Sequence, residues 1–345
     1  PQEALGWGER PSLQPHPVFG WTLIPGSTTR LRWETYDYVL EANELGFPGP
    51  LYSESRTPGS VRIMTLGDAF TSAEGVDTWQ SWPRVLEVTL GERLNGTRVE
   101  VLNFAMTGYG PSQNAAVFRE FGPQYRPDLV LVGFFVNEFS DALVPNEAFQ
   151  SGIGFGLPAQ NSLISYLEAA QARKFLQHRV PDPLRELLTG TPRSYGYSLG
   201  SFRAFDAEGR DEIVAGAEIV RLRLAEIKST AATIGAEVIV VLIPASIQVC
   251  EPQDLAYFPR SVDLEDRQMF DLGRPQAAAR EIADEFGILT LDLRGPLSAL
   301  EGCPYQPWNM HWLPEGHHAV ALYVAEELTR SGIVRGSSTI QGKTQ

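Results

Sequence analysis

The sequence predicts a doubly wound α/β fold, a parallel sheet held between two layers of helices. Two observations carry this. From about residue 60 to 335, short apolar runs alternate with longer amphipathic stretches, and most of the short runs are apolar on both faces, as a strand covered on both sides reads. A repeated strand-then-helix alternation also implies right-handed crossovers and places ligand sites at the carboxyl ends of the strands.

Five strands are expected, at Val61–Leu66, Val99–Asn103, Leu129–Phe135, Val238–Ile243 and Ile288–Leu291. Between and after them, helices are expected at about 79–94, 111–122, 211–234, 265–286 and 315–331. The stretch 211–234 spaces Ile213, Val214, Ala217, Ile219 or Val220, Leu224 and Ile227 at three and four residues, the pattern of one buried helical face. Two pieces fall outside the rhythm. Residues 1–57 contain Val18–Leu23 and Tyr36–Leu40, alternating runs separated by turn residues, which reads as a small β extension packed on the core. Residues 142–208 interrupt the core with a glycine-rich stretch (Gly152, Gly154, Gly156), a helix from about 162 to 179 and a return through Tyr195–Tyr197. An insertion of that length reads as a lid, and its aromatics Phe155, Tyr166, Tyr195 and Tyr197 either stack on a ligand or pack the insertion. Residues 58–335 thus form one domain carrying the insertion, and 336–345 read as a flexible tail.

Composition narrows the function. Among 345 residues, 28 Lys+Arg stand against 42 Asp+Glu, a net charge of −14, so no broad basic footprint exists for nucleic acid. No run of 18 apolar residues is present to span a bilayer. The start, Pro1-Gln2-Glu3-Ala4, has no signal-peptide pattern, and membrane contact is expected only through a segment absent from this chain. Cys250 and Cys303 are the two cysteines. They are too few for a disulfide scaffold or a clustered zinc site, but they follow the fourth and fifth strands, which are expected to be neighbours. A bridge there would brace the loop that follows Cys303; two separate thiols are the alternative. No metal is expected, since His317 and His318 read as the start of the last helix.

Four short segments sit where such a fold places its ligands. The first strand ends in Gly67-Asp68-Ala69-Phe70-Thr71, the second leads into Asn103 and the loop Thr107-Gly108-Tyr109-Gly110, the third ends before Asn137-Glu138, and Asn309-Met310-His311-Trp312 precedes the last helix. Each alone reads as an ordinary turn or cap, and no phosphate-binding glycine pattern follows the first strand. Together they converge on one edge of the sheet.

The set resembles the SGNH/GDSL hydrolase family, whose blocks read Gly-Asp-Ser followed closely by Thr, then an oxyanion Gly, an oxyanion Asn, and an Asp-x-His or Asp-x-x-His. These match Gly67-Asp68-Ala69-Phe70-Thr71, Gly108, Asn137 and Asn309-x-His311, over about residues 60–335. The resemblance implies a flavodoxin-like three-layer α/β/α sandwich with a five-stranded, mainly parallel sheet. It also implies ester hydrolysis without a cofactor, on a small-molecule or carbohydrate ester. A serine hydroxyl attacks the ester carbonyl and His311 serves as general base. The oxyanion is held by Asn137, the Gly108 N–H and the N–H at position 69. Asp68, Tyr109 and Trp312 are expected to touch substrate. Extensions like residues 18–47 occur in extracytoplasmic branches of the family, so a secreted, periplasmic or membrane-anchored location is expected.

Two positions depart from that pattern. Ala69 has no hydroxyl, so the chain as written is not expected to turn over by this mechanism. Substitution to freeze turnover accounts for it better than decay, which would not be expected to spare Gly108, Asn137 and His311 together; a native pseudoenzyme that kept its pocket is the other reading. Asn309 stands where an Asp is usual, and an amide can orient the imidazole without supplying charge. Glu138, Asp141 and Glu315 are candidate substitutes. The family also contains O-acetyltransferases, and His311-Trp312 resembles the Asp-x-His-Trp block of its alginate-acetyltransferase-like branch; a non-catalytic glycan- or acyl-binding protein is a third alternative.

Overall fold

The computed structural model describes residues 13–32, 37–142, 205, 207, 212–255, 266, 270–307 and 310–335. Five parallel strands form the central sheet: β5 (Val61–Leu66), β6 (Val99–Asn103), β7 (Leu129–Phe135), β8 (Glu237–Ile243) and β9 (Leu289–Asp292), in the order β6-β5-β7-β8-β9. The order reverses between β5 and its two neighbours, and at such a switch point the loops leaving adjacent strands separate and open a crevice. The expected strands agree with these to within a residue at either end.

The strands are buried because both faces are covered. Met64, Leu66, Val130, Val132, Val238 and Val240 face a core layer with helices α3 (Pro111–Tyr125), α5 (Glu212–Ile234) and α6 (Arg274–Glu285). Ile63, Val101, Leu129, Leu131, Ile239 and Val241 face the other, with α2 (Trp82–Arg93) and α8 (Pro314–Arg330). Alternate residues of one strand thus serve opposite layers, as the pleat requires. The remaining helices are short: α1 (Ala69–Ser72), α4 (Glu138–Asp141) and α7 (Arg294–Ser298).

The helix expected over 265–286 begins at Arg274 instead. Pro275 occupies its first turn, where a missing N–H costs nothing, and the Gly273 N–H donates to Asp271 Oδ1 at 2.9 Å just before it. The N-terminal extension holds two antiparallel hairpins, β1 (Leu13–His16) with β2 (Gly20–Leu23) and β3 (Thr28–Arg32) with β4 (Asp37–Glu41). Phe19, Trp21, Leu23, Leu31, Tyr38, Leu40 and Phe47 join the α3-side core, so the extension is continuous with the domain. The connector between them is tied at the foot of the sheet by Arg62, whose guanidinium donates to the carbonyls of Ser53, Glu54 and Tyr125 and pairs with Glu100 at 2.7 Å. Both members of that pair are buried, and the fan of hydrogen bonds offsets the cost of taking an ion pair out of water.

The expected lid helix, the aromatics Phe155, Tyr166, Tyr195 and Tyr197, and the tail all lie outside the described residues. No described helix is long and apolar enough to cross a membrane.

Candidate active site

The strand ends at the switch point bring three of the four motif segments together. After β5 the chain turns at Gly67, at φ 146°, where a Cβ would fall 2.7 Å from Thr71 Oγ1 and 3.1 Å from the Gly133 carbonyl. Only glycine fits there. Its N–H donates to Asn114 Oδ1 of α3 at 3.0 Å, and its carbonyl accepts the Met106 N–H at 3.1 Å. Asp68 then caps α1, accepting the Phe70 N–H at 3.1 Å. Ala69 is the first residue of that single turn, 7% exposed, where a helix leaves its N–H without an intrahelical acceptor.

The loop after β6 is tied to this turn. The Asn103 side-chain amide donates to the Thr71 carbonyl at 2.9 Å, and the Ser72 and Thr107 hydroxyls meet at 3.2 Å. Gly108 follows at φ 80°. The N-terminal extension holds the loop from behind: Trp21 Nε1 donates to the Thr107 carbonyl at 3.1 Å, and the Tyr109 hydroxyl donates to the Trp21 carbonyl at 2.5 Å. Asn137 leaves β7 and starts α4, its carbonyl accepting the Asp141 N–H at 2.9 Å. Helix α5 presses close on this segment through Gly216, where a Cβ would lie 2.0 Å from the Phe139 carbonyl oxygen.

His311 comes from the far end of the chain on a braced segment. Its carbonyl accepts the Gln306 N–H at 2.8 Å, Leu313 donates to the Pro304 carbonyl at 2.8 Å, and Tyr305 bridges to Trp312. Cys250 and Cys303 are joined in a disulfide, and the Tyr305 hydroxyl donates to the Pro244 carbonyl at 2.6 Å, so the loop after β8 anchors the segment twice. The imidazole packs 5.1 Å from the Phe70 ring, beside Ala69. Burial holds its pKa below the usual histidine value, with Glu74 opposing, so it is a neutral base at neutral pH.

Three residues expected to touch substrate are turned inward. Asp68 is buried and serves as the α1 cap; Tyr109 is fully buried against Trp21; Trp312 is fully buried among Phe70, Tyr305 and His317. They support the site from behind. Neighbouring residues of an extended segment point to opposite sides, so His311 and Trp312 cannot both face the crevice. Asn309 lies outside the described residues. Of the acids expected to support His311, Glu315 is exposed on the first turn of α8. Glu138 and Asp141 lie on α4, where the Asp141 charge acts on Asp68 and the charges of Asp68 and Asp141 act on Glu138. Glu74, which sequence reasoning missed, brings a carboxylate to the imidazole: its Oε1 is 3.8 Å from His311 Nδ1.

An acidic cluster lies beneath Asn137. Glu138 is fully buried, neither of its carboxylate oxygens has a hydrogen-bond partner among the described residues, and burial with the charges of Asp68 and Asp141 pushes its pKa well up. Burial pushes Asp141 to about 7, and burial, with the charges of Asp141 and Glu74 adding, takes Asp68 to about 7. His317, buried in α8, accepts the Trp82 N–H at 3.3 Å, and burial lowers it to about 3. Among the described residues no group of three His, Cys, Asp or Glu is placed to hold a metal ion.

The disulfide carries a prediction. Replacing both Cys250 and Cys303, 53 residues apart, by Ser should lower stability by about 4 kcal/mol through the released unfolded-state constraint, read as a lower Tm that reducing agent does not lower further. An unchanged Tm would show that the other anchors hold the segment alone.

No family model matches the chain, and no curated protein matches it. Among solved structures it is similar to TesA, at 13% identity over 79% of this chain and 99% of that one, with a TM-score of 0.45. It is similar to LAE5, an alpha/beta hydrolase enzyme from the metagenome of Lake Arreo, Spain, at 14% identity over 83% and 100% of the two chains, TM-score 0.45. It is also similar to a catalytic mutant of Axe2, an acetylxylan esterase from Geobacillus stearothermophilus, at 13% identity over 82% and 100%, TM-score 0.45. At such identities the chemistry has to be carried by the residues of the chain itself.

Proposed function

We propose that this chain is the scaffold of an SGNH/GDSL-type ester hydrolase, which with serine at position 69 acts on a small-molecule or carbohydrate ester and with Ala69 is silent. The observation that supports this most is the convergence just described: a buried, neutral His311 beside the first turn of α1, flanked by the loops that carry Gly108 and Asn137. A hydroxyl at position 69 would attack the ester carbonyl while His311 takes its proton, and His311 would return that proton to the departing alkoxide. The N–H groups at positions 69 and 108 and the Asn137 amide would share the oxyanion's charge, each such donor typically contributing about 3 kcal/mol. No step in this scheme requires a cofactor or metal. The disulfide favours an extracytoplasmic site of action, where thiols oxidise.

A second reading, a non-catalytic protein that binds acyl or glycan ligands, is favoured by one observation, the missing hydroxyl at Ala69. Transfer of the acyl group to a sugar hydroxyl instead of water would use the same residues, and Trp312, being in the core, does not select between transfer and hydrolysis. The substitution Ala69→Ser separates enzyme from binding protein: hydrolysis of p-nitrophenyl acetate that disappears with His311→Ala supports the enzyme, and silence across several acyl esters supports the binding protein.

A further inference from the structure

The hydrolase reading leaves His311 with an amide, Asn309, at the position where a supporting carboxylate is usual. We propose that Glu74, carried on the same turn as position 69, is the positioning carboxylate of His311: it holds Nδ1, so that Nε2 takes the hydroxyl proton. This deepens the hydrolase reading and rests on it for its catalytic part.

Three features place Glu74 for that task. The first is proximity: Oε1 lies 3.8 Å from His311 Nδ1, an ion-pair distance that a small side-chain adjustment converts to a hydrogen bond, and such bonds are often long before substrate arrives. The second is the backbone that presents it. Ala73 ends α1 in the left-handed conformation at φ 79°, and the Ala73 and Glu74 N–H groups both donate to the Ala69 carbonyl. The position of Glu74 is therefore referenced directly to the residue that would carry the nucleophile. Next comes Gly75, whose side-chain direction points at His311 Cβ and the Trp312 carbonyl, 3.7 and 3.8 Å from where a Cβ would stand. A side chain at position 75 would thus touch the His311 segment, so the turn runs close to that segment next to the ion pair. The third is shelter. The two side chains are 23% and 11% exposed, so their attraction is screened less than that of a surface pair.

The charge environment agrees. Glu74 from the turn after α1 acts on the imidazole through its charge, and the imidazole in turn acts on His317 of α8. Burial keeps His317 neutral above about pH 3. When His311 takes the proton from the hydroxyl at position 69, the O–H bond breaks, the new O–C bond forms and the imidazolium charge develops against the Glu74 carboxylate. The charge disappears when the proton passes to the leaving alkoxide. A carboxylate that stabilises the imidazolium lowers the barrier of both steps.

The pair can be read without turnover, in the chain as it stands. Following the histidine ring resonances by NMR against pH, Glu74→Gln should move the His311 midpoint down by about half to one pH unit, as loss of a half-screened charge at this distance requires; His16, on the N-terminal extension, should not move. In the Ala69→Ser background, Glu74→Gln should lower kcat about tenfold with little change in KM, and Glu74→Asp should recover part of it. An unmoved His311 midpoint overturns the pairing, whatever the activity. A moved midpoint with unchanged kcat overturns its positioning role. An Ala69→Ser protein that hydrolyses nothing refutes the hydrolase reading instead, and the titration still decides the pair.

Discussion

Introducing a hydroxyl by Ala69→Ser is expected to raise the rate of p-nitrophenyl acetate hydrolysis at least about a thousandfold over the chain as it stands, given the cost of removing the nucleophile from triad hydrolases. The structure gives three reasons to expect the added oxygen to work where it lands. Position 69 opens a helical turn whose backbone is already set by the Asp68 cap and by Asn103 on the Thr71 carbonyl, so the added oxygen is carried on a fixed backbone. His311 is kept neutral by burial; its pKa lies below the ordinary value, so the base form persists to lower pH than for an exposed histidine and activity should decline only on the acid side of 6.5. Gly108 is held by the hydrogen bonds of Thr107 and Tyr109 to Trp21, which fixes its N–H before substrate binds. Within the Ala69→Ser background, Asn137→Ala should lower kcat about 100- to 1000-fold, the usual loss for one oxyanion donor. Steady-state kinetics on the single and double variants decide this, and a double variant as fast as the single one would remove Asn137 from the site.

What is legible in the sequence, and what is not, has physical causes. The five sheet strands are legible because each is an apolar run wherever both faces are covered, as in Leu129–Phe135. Strands β1 and β3 are not: Leu13–His16 contains a proline and two polar residues, and Thr28–Arg32 buries only Leu31. Their pairing partners, not their own composition, make them strands. The positions of Ala69, Gly108, Asn137 and His311 are legible from motif order and strand ends. The facing of Tyr109 and Trp312 is not, since an aromatic beside a motif has the same letters whether it lines a crevice or a core. Glu74 leaves no signal at all. It lies far from His311 in the chain, and its approach depends on a left-handed Ala73, a conformation that alanine does not announce. The burial of Glu138 and Asp141 is equally hidden, because a four-residue helix shows no period from which to read its buried side.

Those two acids give a stability that depends strongly on pH. A carboxyl whose folded pKa is raised favours the folded state fully below its unfolded pKa, and that contribution is lost as pH rises through the folded value. For Asp141 the window runs from the ordinary carboxyl range up to about 7, and for Glu138 it extends upward from its ordinary value. The parent should therefore lose stability between about pH 5 and pH 8, while these groups are forced to ionise in a site where Glu138 has no hydrogen-bond partner for either oxygen among the described residues. The double variant Glu138→Gln, Asp141→Asn has no proton to lose. Each pH unit over which one carboxyl stays protonated in the folded chain but ionised in the unfolded one is worth about 1.4 kcal/mol. For Asp141, protonated in the folded chain up to about 7, the two units from pH 5 to pH 7 make the variant's advantage grow by about 3 kcal/mol, and Glu138 adds in the same direction. For a chain of this length that is a Tm difference wider by roughly 4 °C at the higher pH than at the lower. His317, depressed to about 3, contributes a trend of opposite sign, but it is present in both proteins and cancels in the difference. Asp68, which feels the Asp141 charge, should ionise more readily in the variant, and its hydrogen bond from the Phe70 N–H favours that ionised form. Melting curves at the two pH values test this: parallel curves for parent and variant would mean that Glu138 and Asp141 are already ionised, and solvated, in the folded protein.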